Sequence, residues 1–265
     1  MRMKELRTYR NSLEFWNRSA AVNASERIIV ALDMSAQEAR ELALSLKGKA
    51  QWLKVGMTLY YSEGPSIVAE FKRMGYQVFV DLKLHDIPHQ VRGAARAVAA
   101  AGADMLTVHA SGGLPMMQAA VEGAAKGALS VSEADDDTQS AGKPLCLAIT
   151  VLTSMDDATL GSIGVEADAA TQVERLALLA KEAGMDGVVC SPQETEAIRQ
   201  GMGSDFAIVT PGVRPAGSKV GDQMRVATPA SALEAGASYL VIGRPITEAA
   251  NPLAAFEAIV EEMSS

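Results

Sequence analysis

Three charged side chains crowd the end of one apolar run: Asp81, Lys83 and Asp86, in Asp81-Leu82-Lys83-Leu84-His85-Asp86 directly after Tyr76-Gln77-Val78-Phe79-Val80. Strand side chains alternate between faces, so Asp81 and Lys83 are expected to point the same way and Leu82 the other. Asp86 then falls in a turn, and Pro88 suits the first position of a helix, where a fixed φ and a missing N–H cost nothing. Burying charge is unfavourable unless it is paired. The pattern therefore fits either a structural ion pair with an Asp at a helix start, or a site whose charges act on a ligand.

The elements around this stretch repeat in a regular rhythm. Strand candidates are Arg27–Asp33, Trp52–Met57, Gln77–Lys83, Met105–His109, Leu145–Leu152, Gly187–Cys190, Phe206–Val209 and Tyr239–Ile242. They are continuous in Val, Ile and Leu rather than alternating, as strands covered on both faces should be. Helix patterns lie between them. Ser35-Ala36-Gln37-Glu38 and Ser191-Pro192-Gln193-Glu194 read as capping boxes, and Thr228-Pro229 as a cap followed by proline. Gly75, Gly102, Gly184 and Gly236 read as C-terminal caps, three of them in Ala-Gly-Ala-Asp-like repeats that turn a helix into the next strand. Eight such units in 265 residues predict an α/β fold of the (β/α)8 TIM-barrel type, with residues 1–26 as an N-terminal extension and 27–265 as the barrel domain. The alternative is an open doubly wound sheet, weakened because no Gly-x-Gly-x-x-Gly follows the first strand.

Barrel active sites form at the C-terminal strand ends. Those ends carry Asp33, Lys54, Asp81 with Lys83, His109, Thr153, Thr210 to Arg214, and Gly243-Arg244, whereas the opposite ends carry small turn residues. Two loops look suited to an anion: Thr210-Pro211-Gly212-Val213-Arg214-Pro215-Ala216-Gly217-Ser218-Lys219 with Gln223 beyond it, and Ile242-Gly243-Arg244-Pro245. Loops after strands seven and eight of this fold often hold phosphate through backbone N–H groups, and an Arg adds a bidentate contact. The long seventh loop is a candidate lid.

The composition narrows the possible partners. A net charge of -8 does not suit non-specific nucleic-acid or membrane-surface binding. The only cysteines, Cys146 and Cys190, lie in or at the end of apolar runs and are expected as buried free thiols. No apolar run approaches a membrane span, and residues 1–26 are charged throughout rather than signal-like, so the expected location is the cytoplasm. The acidic stretch Ser130–Gly142 falls between helix and strand and reads as a solvated loop rather than a metal site. His85 and His89 read as surface or packing residues, and His109 as a wall residue rather than a catalyst.

Asp81-x-Lys83-x-x-Asp86, with Asp33 and Lys54 upstream and the Pro-Gly-Val-Arg-Pro and Ile-Gly-Arg-Pro loops downstream, resembles the orotidine 5′-phosphate decarboxylase family. The resemblance runs from about Ile28 to the C-terminal helix, and Val151-Leu152-Thr153-Ser154 is most similar to the bacterial group. It implies loss of the C6 carboxylate of orotidine 5′-monophosphate as CO2 to give UMP, the last step of de novo pyrimidine nucleotide synthesis, with no metal or organic cofactor. Lys83, as an ammonium, would stabilise charge at C6 and then protonate it. Asp81 would hold Lys83 and lie near the departing carboxylate, and Asp33 and Lys54 would hold the ribose hydroxyls. Thr153 would contact the pyrimidine, Gln223 would bridge base and phosphate, and Arg214, Gly243 and Arg244 would take the phosphate. Asp86, with Ile87 beside it, would reach the neighbouring subunit's site, so the resemblance also implies a homodimer.

Two other readings use some of the same residues. Metal-dependent sugar-phosphate decarboxylases or aldolases of the same superfamily share Asp-x-Lys-x-x-Asp and the phosphate loops. They place a metal-binding Glu at the end of strand two, where this chain has Lys54, a cation that would repel Mg2+. A barrel that binds nucleotide without turnover is the non-enzymatic alternative, and retention of Asp33, Lys54, Asp81, Lys83 and Asp86 together argues against it.

Overall fold

Strands that are apolar along their whole length need cover on both faces, and closing the sheet provides it. The computed structural model describes residues 23–132, 142–215 and 227–264. Its strands are β1 (Ile28–Leu32), β2 (Trp52–Gly56), β3 (Gln77–Leu84), β4 (Met105–His109), β5 (Leu145–Ile149), β6 (Gly187–Val189), β7 (Ala207–Pro211) and β8 (Tyr239–Ile242). They form a closed barrel in sequence order, each parallel to its neighbour, and β8 returns to β1. The (β/α)8 expectation holds and the open sheet is excluded.

The two faces of the strands build two cores. Ile28, Val30 and Leu32 point outward and pack under the helices with Leu53, Val55, Val78 and Val80. Ile29, Ala31, Trp52, Phe79, Met105, Leu147, Val209 and Tyr239 point inward and fill the barrel. The Trp52 and Tyr239 rings meet edge to face with centroids 5.4 Å apart. The inward parity then continues upward. Lys54 follows Trp52, Asp81 follows Phe79, and Ala31, Lys54 and Phe79 lie side by side across β1, β2 and β3. The apolar filling thus gives way to charge near the C-terminal mouth.

Local signals behave mostly as expected. Ser35 and Glu38 form the reciprocal capping box ahead of helix Ala36–Ser45, and Thr228 caps Pro229–Glu234. Gly75, Gly102, Gly184 and Gly236 all have positive φ, and the residue after each donates back to a carbonyl five residues earlier, as Tyr76 N does to Phe71 O. Ser191–Glu194 is not a capping box. Ser191 Oγ instead accepts the Gln193 N–H in a local turn, and the helix begins only at Thr195. β5 stops at Ile149, so Thr153 belongs to the following loop, and β7 runs on to Pro211.

The bottom of the barrel is clipped by a repeated device. Asp104 and Asp186, just before β4 and β6, accept the backbone N–H of Val78 and Cys146 on the preceding strand and are paired with Lys72 and Lys143. Before β8, Ser238 does the same for Ile208 N–H. Arg199 completes this third clip by donating to Ser238 Oγ and to the carbonyls of Gly203, Ser204, Phe206 and Gly236. Hydrogen bonds from a charged group each outweigh a neutral one, and removal leaves several carbonyls without a protein partner. Arg199→Ala is expected to lower the unfolding free energy by about 2–4 kcal/mol. Activity per folded molecule should be unchanged, as read from urea denaturation beside a rate measurement.

Two features fix the segment that follows β3. Helix Pro88–Ala100 packs on helix Leu114–Ser132 at Gly123 and Gly127, where a Cβ would collide with the Arg92 and Arg96 carbonyl oxygens. Pro88 occupies the first turn of its helix as expected, but the residue before the helix is Ile87, so Asp86 is not its cap. The buried free thiols Cys146 and Cys190 agree with expectation. Among the described residues no helix is long and apolar enough to cross a membrane. The acidic stretch and the N-terminal extension lie almost wholly outside the described residues.

Candidate active site

A cavity of about 890 Å³ opens at the C-terminal mouth. Its floor is apolar, from Ala31, Phe79, Ile149, Val189 and Val241, and its polar lining includes Asp33, Lys54, Asp81, Lys83, Thr153, Arg214 and Arg244, with Glu38, Glu41, Ser45, Thr247 and Glu248 also on its wall. The strand-end positions singled out in the sequence thus converge on one space, except His109, Thr210 and Val213.

Four charges form a continuous row along one side. Lys54 Nζ lies 2.9 Å from Asp33 Oδ1 and 3.8 Å from Asp81 Oδ2, and Lys83 Nζ lies 2.8 Å from the same Asp81 oxygen. Lys54 and Asp81 are only 7% and 8% exposed, so their charges survive by mutual pairing. Burial alone would raise the Asp81 carboxyl. The charges of Lys54 and Lys83, with hydrogen bonds from Lys83 and Thr107, outweigh that and hold it below the usual carboxylate range. Asp81 is therefore an anion at neutral pH. Gly56 makes room for the row, since a Cβ there would sit 2.8 Å from Asp33 Oδ1 and 3.0 Å from Lys54 Nζ.

Simple strand alternation does not explain how Lys83 meets Asp81. Pairing with β4 runs Phe79–Met105 and Val80–Leu106, then jumps to Leu84–Val108. Asp81, Leu82 and Lys83 therefore bulge opposite Thr107 alone. Lys83 has φ 53°, the one positive value outside glycine among the described residues. Thr107, fully buried, donates to Asp81 Oδ1 at 2.9 Å and accepts the Lys83 backbone N–H at 2.9 Å. The sequence carried one overlooked signal for it, a hydroxyl at inward parity two residues above Met105.

The other expected residues divide into three groups. Thr153 and, with Gly212 and Pro211, Arg214 line the cavity, as do Gly243 and Arg244 beyond β8. Val213 bridges to Ala227 and Arg214 N donates to Ala227 O, which ties the base of the seventh loop. Gln223, and Lys219 with it, lies outside the described residues. Asp86 and Ile87 are exposed and do not line the cavity; they border a separate open depression with His85, Pro88, Ser111 and Gly112. His109 also lies off the main cavity. Its ring stands 5.3 Å from that of His85, and burial, His85 and Lys83 lower its pKa against a weaker opposing pull from Asp81. No cluster of three or more His, Cys, Asp or Glu suited to a metal occurs among the described residues.

A closed parallel barrel with a lysine–aspartate array under its C-terminal mouth defines a (β/α)8-barrel enzyme. The chain belongs to the orotidine 5′-phosphate decarboxylase / HUMPS family, whose model matches residues 26–259. It is 50% identical over 244 residues to the orotidine 5′-phosphate decarboxylase of Moorella thermoacetica, covering 91% of this chain and 94% of that protein. The corresponding protein of Maridesulfovibrio salexigens is 49% identical over 239 residues, covering 90% and 99%. Among solved structures, orotidine 5′-phosphate decarboxylase from Lactobacillus acidophilus superposes with a TM-score of 0.78 at 38% identity, covering 91% of this chain and all of that one.

Proposed function

We propose that this chain converts orotidine 5′-monophosphate to UMP and CO2 without a metal, using Lys83 as the proton donor. The observation that carries the reading is the row Asp33–Lys54–Asp81–Lys83 inside the barrel mouth. Its lysine at the end of β2 stands where a metal-using relative would need a carboxylate.

The chemistry follows from the row. As the C6–carboxylate bond breaks, CO2 leaves and the bonding electron pair stays on C6. The pyrimidine ring delocalises that pair poorly, so a cation fixed beside C6 has to supply the stabilisation. The Lys83 ammonium does so and transfers a proton to C6, and the resulting amine recovers its proton from water. Asp81 holds Lys83 in place, and Asp33 with Lys54 binds the ribose hydroxyls. Thr153 meets the base, while Arg214, Gly243, Arg244 and Gln223 hold the phosphate and its link to the base. Phosphate contacts are remote from the breaking bond, and their binding energy serves to orient the ring.

Asp86 and Ile87 serve the site of a second subunit in a homodimer. Support comes from their orientation: Ile87 is 63% exposed beside a depression away from the cavity of its own chain. The decarboxylase domain is the barrel of residues 27–265, with residues 1–26 as an N-terminal extension, and the enzyme works in the cytoplasm.

An absorbance assay following loss of orotidine 5′-monophosphate tests the reading. Turnover is expected to be the same with and without EDTA. Loss of activity in EDTA, restored by Mg2+, would favour the metal-dependent relatives, and no turnover despite UMP binding would favour a binding barrel.

A further inference from the structure

We propose that Thr107 is a positioning residue for the decarboxylation, its hydroxyl locking the Asp81 carboxylate and the Lys83 backbone into one unit. The inference rests on the roles given above to Asp81 and Lys83.

The β3 bulge creates the need. Where the ladder skips from Val80–Leu106 to Leu84–Val108, three residues of β3 face one of β4, and regular backbone pairing is lost. Lys83 pays in conformation, because a left-handed backbone is unfavourable in a side-chain-bearing residue and persists only when its surroundings impose it. The Lys83 N–H, turned out of the ladder, is received by Thr107 Oγ1.

One hydroxyl does both tasks, and its only donor is used in doing so. Its single hydrogen goes to Asp81 Oδ1 and a lone pair takes the Lys83 N–H. Fixing Oδ1 sets the rotation of the whole carboxylate. Oδ2 is then left facing Lys83 Nζ at 2.8 Å and Lys54 Nζ at 3.8 Å. Both ends of Lys83 are thereby referred to the same anchor, its backbone directly and its ammonium through Asp81. A buried threonine in a strand is otherwise explained by β-branched packing alone. The two explanations make opposite predictions for valine, which keeps the shape and loses the hydroxyl.

Steady-state kinetics on the full-length enzyme with orotidine 5′-monophosphate separates them. Thr107→Val is expected to lower kcat about 100-fold, the scale of a small misplacement of reacting groups, with KM within about threefold. Thr107→Ser, which restores both hydrogen bonds, is expected to recover kcat to within about threefold of the unmodified enzyme. If Thr107→Val does not fold, the rates of the Ser and Cys variants decide. Thr ≥ Ser > Cys follows hydrogen-bonding strength and supports positioning, whereas Cys equal to or above Ser overturns it. A Thr107→Val enzyme with unchanged kcat, or with its loss confined to KM, also overturns it. Lys83→Ala measured alongside keeps the failures apart. An inactive Lys83→Ala beside a fully active Thr107→Val refutes only the role of Thr107, while an active Lys83→Ala refutes the underlying assignment as well.

Discussion

Lys83→Ala is expected to lower kcat/KM for orotidine 5′-monophosphate by about 10⁵-fold while UMP binds within about tenfold of its normal affinity. General-acid catalysis contributes about 10²–10⁴ and a fixed charge at the developing carbanion about 10²–10³, and one ammonium supplies both. Lys54 cannot take its place. It is 3.8 Å from Asp81 and is bonded to Asp33 at 2.9 Å, which commits it to the Asp33 end of the row. Lys83→Arg sharpens the test, because guanidinium keeps the positive charge yet hardly ever gives up a proton. If proton transfer matters as proposed, it should therefore regain no more than the share due to charge, about 10²–10³-fold over Lys83→Ala, and stay at least about 10²-fold below the unmodified enzyme; it should recover most of the rate if charge alone suffices. UMP affinity, measured by calorimetry, reports on the Arg214 and Arg244 end of the cavity, which none of these changes touches.

The sequence was informative wherever one residue's environment followed from its neighbours along the chain. Ile28–Leu32 is apolar throughout because alternate residues enter two different cores, and that alone signals a doubly covered strand. Ser35 with Glu38, and the four helix-ending glycines, act within a single turn and were equally readable. The charged strand ends could be gathered into one site because the barrel rule assigns them all to one mouth. What escaped depends on two strands at once. The Lys83 conformation arises from a mismatch between β3 and β4, and neither strand alone shows that residues 81–83 face only Thr107. Alternation placed Asp81 and Lys83 together for a reason that the bulge replaces. Ser191 misled because its hydroxyl has two local options, a cap or a tight turn, and the chain takes the turn. Gly56 lies inside the strand candidate Trp52–Met57 with nothing to single it out, and only its approach to Asp33 and Lys54 reveals why a side chain is excluded there.

Asp86 yields the prediction that most directly tests assembly. Asp86→Ala is expected to lose about 10³-fold or more in kcat/KM, because the proposed role sets its carboxylate against a substrate hydroxyl. That loss alone would not say whose site Asp86 serves, since it lies three residues from Lys83 in sequence. Mixing does. In a hybrid dimer of Lys83→Ala with Asp86→Ala, one site receives both altered residues and the other receives neither. Random reassortment of equal amounts makes half of the dimers hybrids, so about one quarter of all sites regain the intact set. Two nearly inactive proteins, unfolded and refolded together, should therefore recover about one quarter of the unmodified activity per site. Refolded separately and then combined just before the assay, they should recover none until subunits exchange. If Asp86 acted within its own chain, every site would carry one defect or the other in any mixture, and joint refolding would restore nothing. The geometry favours complementation, because Ile87 and Asp86 are exposed at a depression bordered by Ser111 and Gly112, off the cavity that holds Lys83.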